Sequence, residues 1–218
     1  MNNNILITSI SSKIPLIETV IKAKNSFDKS IKVFGIDITD KILGKYYVDE
    51  FFILEKIKDL RFEFILGFWL MNKIRCIVAT RDGDLVYYSS FIQIFIKNNI
   101  YLFSPDKNIV NLCYDKYLFV QNNKIDFNIK TSLNIEDLKE VEFFVVKTRF
   151  GSASKDIGIR ISFEKAKRLA KTIKYPIFQE YIEGEEYSID SYITKTNNFV
   201  GMIIRKREIV SDGESIDT

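Results

Sequence analysis

Short apolar runs alternate with longer helix-like segments through the first half of the chain, and this alternation restricts the fold more than any other feature. Asn4–Ser9 (Asn-Ile-Leu-Ile-Thr-Ser) reads as a buried parallel strand, followed by a helix over Ile14–Lys24. Ile31–Ile38, Tyr46–Leu54, Arg75–Ala79 and Ile100–Phe103 read as further strands, with helices over Asp59–Asn72 and Leu85–Lys97. Strands separated by helices at this spacing imply a parallel sheet covered on both faces. Residues 1–105 are therefore expected to form a small doubly wound α/β domain, closed by Ser104-Pro105.

From Asp106 the pattern becomes α+β. A helix over Asn108–Val120 leads through the polar stretch that starts at Gln121 to a helix near Ile135–Val141. A strand then runs into Lys147, followed by a loop, a helix over Phe163–Lys174, and strands at Ile177–Tyr181, Tyr187–Thr194 and Phe199–Arg205. The turn Lys195–Asn198 joins the last two strands as antiparallel neighbours. Residues 106–218 are expected to be a second domain.

Composition removes whole classes of chemistry. The chain has no histidine, which excludes Ser-His-Asp and Cys-His nucleophilic sites and every histidine-based zinc site. Its 32 basic and 29 acidic side chains are interspersed, so no basic block points to nucleic acid. No apolar run approaches the roughly 18–20 residues of a membrane span; Phe62–Met71, the most apolar stretch, is far shorter. Met1-Asn-Asn-Asn carries no basic region ahead of an apolar run, so a cytoplasmic location is expected. Cys76 and Cys113 sit among apolar neighbours and are expected to be buried free thiols.

The densest chemistry lies between Phe144 and Asp190. A β-run ends in Lys147 and opens into Thr148-Arg149-Phe150-Gly151-Ser152-Ala153-Ser154-Lys155, with Gly158 beyond. Small residues permit close backbone approach to a phosphate, and Lys147, Arg149 and Lys155 supply positive charge. Taken alone, the pattern also fits a β-turn carrying surface lysines. It is neither a Walker A loop nor a dinucleotide fingerprint. Farther along, Gln179-Glu180-Tyr181-Ile182-Glu183-Gly184-Glu185-Glu186 is a strand breaking into an acidic, glycine-hinged segment. Its backbone matches an adenine edge, and Glu186 can accept two ribose hydroxyls; an acidic hairpin tip explains it equally. The pair Asp115-Lys116 by itself reads as a solvated helix face. Arg205 and Arg207, two apart on a strand, point the same way and suit a phosphate or carboxylate, or simply an exposed basic sheet edge.

In this order these elements resemble the ATP-grasp superfamily, in its carbamoyl-phosphate synthase large-chain-like and amino-acid ligase branch. The resemblance covers nearly the whole chain. It implies that residues 1–105 are a Rossmann-like pre-ATP-grasp domain and residues 106–218 an ATP-grasp domain without its C-terminal part. It further implies that Lys116 and Lys147 contact nucleotide phosphates and that the loop Gly151, Ser152, Ala153, Ser154 closes over them. Glu180, Tyr181 and Ile182 would meet adenine through the backbone, and Glu186 would hold the ribose. Arg149, Arg205 and Arg207 would serve the phosphate or acyl side as catalytic or substrate-binding groups.

The activity implied is that of an ATP-dependent carboxylate–amine or carbamoyl ligase working through an acyl-phosphate. Its cofactors would be ATP and, in a complete version, Mg²⁺; its substrate would be a small carboxylate such as an amino acid. The departures are equally specific. The loop Ser9-Ile10-Ser11-Ser12-Lys13 lacks the usual glycine, Gln179 is neutral where some members of the superfamily have an acid, and Gln121–Thr131 is short. No acidic residue followed by Glu-x-Asn is found to bind magnesium, so no metal ligand is assigned. A chain inactive by itself is therefore expected, completed by a second copy or a companion polypeptide. The rival reading is a non-catalytic nucleotide-binding or assembly module.

Overall fold

A computed structural model of the chain describes residues 3–11, 13–122, 129–151, 157–194, 196–211 and 214–217, with side chains as far as Glu208. The chain divides into two compact units, Met1–Tyr114 and Asp115–Thr218.

In the first unit, strands β1 (Asn4–Ile7), β2 (Val33–Asp37), β3 (Glu50–Ile53), β4 (Ile74–Val78) and β5 (Tyr101–Leu102) form a parallel sheet in the order β3-β2-β1-β4-β5. The helices α1 (Ile14–Phe27), α2 (Phe62–Met71), α3 (Asp82–Ser89) and α4 (Ile92–Lys97) fill the crossovers. Side chains alternate across the sheet, so an apolar run feeds both layers. Ile7, Ile10 and Val33 pack with Ile17 of α1, whereas Leu6, Phe34, Ile77 and Leu102 pack with Ile65 and Trp69 of α2 and Phe95 of α4. Each such fully buried side chain contributes about 1.5–3 kcal/mol. The doubly wound sheet expected from the apolar runs is present.

The expected helix Leu85–Lys97 is broken into α3 and α4. Ser90 and Phe91 donate their N–H groups three residues back, to Tyr87 and Tyr88, which turns the chain. Phe91 then stacks on Phe62 with ring centroids 3.7 Å apart. The expected buried thiols also differ: Cys113 is exposed and Cys76 half-buried, both free.

The expected helix Asn108–Val120 is likewise two helices, α5 (Lys107–Tyr114) and α6 (Lys116–Asn122), interrupted at Asp115. In the second unit, β6 (Thr131–Ser132), β7 (Phe144–Thr148), β8 (Gly158–Ile161) and β9 (Pro176–Glu180) form an antiparallel sheet in the order β6-β9-β7-β8. Helix α7 (Phe163–Ala170) covers one face, where Phe144, Val146 and Phe178 pack with Ala166, Ile135 and Leu138. Ile135–Leu138 is a single 3-10 turn, capped by the Asn134 side chain, and not the longer helix expected there. Strand β8 was not expected either. Gly158 begins it beneath α7, where an added Cβ would come within 2.5 Å of Leu169 Cδ2 and 2.6 Å of Ile161 Cδ1, so a larger residue would require those two side chains to shift. The hairpins β10 (Tyr187–Ile193) with β11 (Phe199–Lys206) and β12 (Ile209–Ser211) with β13 (Glu214–Asp217) form separate two-stranded sheets.

Candidate functional site

Packing on one face of the β6–β9 sheet determines what the other can present. Phe144 and Val146 of β7 point toward α7, so the alternation along the strand turns Val145 and Lys147 the opposite way. They share that face with Gln179 and Ile177 of β9, their partners in register. Gln179 is buried and donates from Nε2 to Thr131 Oγ1 at 2.8 Å. Lys147 is half-buried on this face. Burial pushes its ammonium below the ordinary lysine value, the charge of Lys116 adds to the depression, and Glu186 opposes it. Two cations and a carboxylate therefore act on one another, and the balance favours arrival of an anion.

Lys116 is placed by the turn after β7. Its backbone N–H donates to the Arg149 carbonyl at 3.0 Å, and its Nζ donates to the Gly151 carbonyl. Gly151 has φ 85°, a backbone conformation glycine adopts without steric cost. Ser152, Ala153 and Ser154, with Lys155, lie outside the described residues.

Asp115, which by sequence alone resembles a residue on a solvated helix face, is buried at 5% exposure. Its Oδ1 accepts the N–H groups of Tyr117 (3.1 Å) and Leu118 (3.0 Å), capping α6. The same carboxylate receives Arg149 in a two-point fork, Nε to Oδ1 at 2.8 Å and Nη2 to Oδ2 at 2.6 Å. Burial pushes the Asp115 carboxyl up, but the bonds from Arg149, Leu118 and Tyr117 outweigh it and hold the group below its usual range. The Arg149 guanidinium also lies over the rings of Tyr117 and Phe150, at 5.3 and 5.1 Å. Arg149 thus faces Asp115. An Asp directly before a helical run is an N-cap signature that the sequence reading passed over.

On the hinge side, Glu180 N–H donates to Lys130 (3.1 Å) and Tyr181 N–H to Phe143 (2.8 Å). Among the described residues no acceptor meets the Ile182 N–H. Glu186 is exposed; its carboxylate lies 3.3 Å from Arg207 Nε, and its carbonyl accepts the Arg207 N–H at 2.8 Å. Arg205 instead pairs with Asp190 across the β10–β11 hairpin, Nε and Nη2 at 3.1 and 2.5 Å. Lys116, Lys147, Gly151 and Glu186 are brought together; Arg205 and Arg207 are each held by a carboxylate of the hairpin region. Among the described residues no group of three or more Cys, Asp or Glu is arranged to hold a metal ion, and no helix is long and apolar enough to cross a membrane.

Residues 113–215 match the ATP-grasp domain family. The fold of the chain is similar to the biotin carboxylase domain of Hydrogenobacter thermophilus 2-oxoglutarate carboxylase, a dimer solved with MgADP, ADP and bicarbonate. That likeness has a TM-score of 0.72 at 17% identity and covers 97% of this chain and 51% of that one. It is also similar to Staphylococcus aureus N5-carboxyaminoimidazole synthetase in complex with ADP (TM-score 0.66, 14% identity, 97% and 56% covered). L-amino acid ligase from Bacillus licheniformis is a third (TM-score 0.63, 14% identity, 94% and 49% covered). The chain thus spans about half the length of these structures. No match is found among curated protein sequences.

Proposed function

We propose, from the match of residues 113–215 to the ATP-grasp domain family, that this chain is the adenine-nucleotide-binding part of an ATP-dependent carboxylate–amine ligase. The observation that carries the reading is the paired ammonium site, in which Lys147 is depressed by burial and by the neighbouring charge of Lys116. Such a pair is relieved by a polyphosphate, which supplies several negative oxygens at once. Lys116 and Lys147 hold the phosphates, with the Gly151 turn against them. The Ile182 N–H donates to adenine, and Glu186 accepts from the ribose hydroxyls.

In the ligase reaction a substrate carboxylate oxygen attacks the γ-phosphorus, ADP leaves, and an acyl-phosphate forms. An amine then attacks the carbonyl carbon, inorganic phosphate leaves, and the amine proton goes to solvent or a base. Catalysis of this kind depends on positioning and charge neutralisation, which lysines and backbone amides provide without histidine. The described residues offer no carboxylate cluster that fits Mg²⁺, so no step is assigned through that ion. The substrate class proposed is a small carboxylate, with an amino acid as the first choice, and the compartment proposed is the cytoplasm. A nucleotide-binding module without turnover is the rival reading.

Calorimetric titration with ADP and a non-hydrolysable ATP analogue tests the binding. Lys147→Ala is expected to weaken both about tenfold or more, the scale of one charge-assisted bond. Equal affinity in wild type and variant would remove Lys147 from the site. Phosphate release from ATP in the presence of amino acids, assayed together with a companion polypeptide that supplies the magnesium-binding Glu-x-Asn segment, separates the ligase from the rival module, since this chain by itself is expected to be inactive under either reading.

A further inference from the structure

The geometry points to the Asp115–Arg149 pair as a positioning device that fixes Lys116 over the nucleotide phosphates, with Arg149 itself held away from them. The inference rests on the nucleotide-site reading above and goes one step inside it. Three observations carry it. Arg149 makes its two-point fork to a buried carboxylate, with side-chain exposures of 23% and 7% for Arg149 and Asp115. The fork ties the end of β7 to the start of α6, and Asp115 and Phe150 are joined by an antiparallel bridge at the same point. The residue directly after Asp115 is Lys116, whose N–H is bonded to the Arg149 carbonyl and whose Nζ reaches the Gly151 carbonyl.

A lysine stem has four rotatable bonds and little intrinsic preference for one direction. Here its backbone is held at the preceding Asp115 and at its own N–H, so the ammonium is placed at the Gly151 carbonyl, within electrostatic reach of Lys147, before any ligand arrives. Pre-organisation of this sort lowers the ordering cost of binding. The planar guanidinium is also needed for the pairing itself, since a lysine cannot present two parallel N–H groups to one carboxylate.

The test uses the whole chain and three titrants: ATP analogue, ADP and adenosine. Arg149→Lys keeps the charge and loses the fork, while Asp115→Asn keeps the shape and frees the arginine. Both variants are expected to weaken ADP binding by about tenfold and to leave adenosine binding unchanged, because only the phosphate end is displaced. The double variant is expected to be no weaker than either single one, as for two residues acting as a unit. Unchanged or tighter ADP binding in Asp115→Asn would overturn the proposal, since it would mean that Arg149 contacts phosphate directly once released. A parallel loss of adenosine and ADP binding would also overturn it, showing a general structural role. If Arg149→Lys fails to fold, Asp115→Asn decides alone through the ADP-to-adenosine ratio. Absence of ADP binding by the wild type would fell the nucleotide reading and this proposal together, whereas wild-type binding with unaffected variants would fell only this one.

Discussion

Replacing Lys147 with methionine should move stability and affinity in opposite directions. In the ligand-free protein the ammonium is disfavoured by burial and then by the charge of Lys116. The counter-attraction of Glu186 comes from a carboxylate whose side chain is 64% exposed and already near Arg207, so solvent screens much of it. Methionine fills nearly the same volume without the charge, and the substitution is expected to stabilise the ligand-free chain by about 1 kcal/mol near neutral pH. The folded amine titrates below its ordinary value of 10.5. Between those two values the unfolded chain therefore holds more protons, and wild-type stability rises with pH across that window. Lys147→Met should abolish that rise. With saturating ADP the sign reverses, because the variant loses a charge-assisted bond to phosphate of about 1.5–3 kcal/mol. Urea denaturation, with and without ADP and across a pH series, reads all three effects. The reasoning is refuted if the variant is less stable without ligand, or if ADP stabilises both proteins equally.

Asp115→Ala should cost about 2–4 kcal/mol by stranding Arg149 and uncapping α6, the lower end applying because the arginine is partly solvated. Because the Asp115 carboxyl titrates below 3.8 when folded, its contribution is present above that value and is lost as pH falls through the folded one; an acid-unfolding series on the wild type and Asp115→Asn checks this. Chelating Mg²⁺ with EDTA should leave ADP affinity unchanged, since lysines carry the phosphate charge; a large loss by calorimetry would reveal a metal site that the described carboxylates do not form. Ile189, Met202 and Ile204 share one face of the β10–β11 hairpin and are each 57–61% exposed. Ile204→Lys should therefore reduce self-association in light scattering and shift stability by no more than about 0.5 kcal/mol.

The parts of the fold legible from sequence are those that local physics dictates. β1, β2 and β4 lie in a sheet covered on both faces, so each carries consecutive apolar residues (Ile5-Leu6-Ile7, Val33-Phe34 and Cys76-Ile77-Val78), and the helices between them repeat at helical spacing. The position of Lys147 follows from the same pattern: it ends the apolar run Phe-Val-Val, and the alternation of β7 leaves it half-buried on the sheet face opposite α7. The misplaced elements are set by distant partners. Nothing near Asp115 announces that its counter-ion stands 34 residues later, yet that ion pair decides where one helix ends and the next begins. Strand β8 reads Gly-Ile-Arg-Ile, with Ile159 exposed and Gly158 lacking a side chain, so it shows no alternation until α7 is laid across it.

The arginine next to the candidate site shows why a motif is not yet a geometry. Lys147 and Arg149 stand two residues apart at the end of one β-run and look like two equivalent phosphate ligands in the sequence. They separate only because the strand stops at Thr148 and a buried carboxylate waits beside the second cation but not the first. Charge that is already neutralised at 2.6 Å by a capped, buried aspartate must first be released before it can serve a ligand, and that release leaves Asp115 without a partner. Lys147 faces no such cost: burial and the charge of Lys116 disfavour its ammonium more than Glu186 supports it, so an incoming phosphate restores what burial removed. Both residues are basic, but only Lys147 gains from binding an anion. On the nucleotide reading proposed above, the work of holding phosphate falls to Lys147 and Lys116, and that of aiming Lys116 to Arg149.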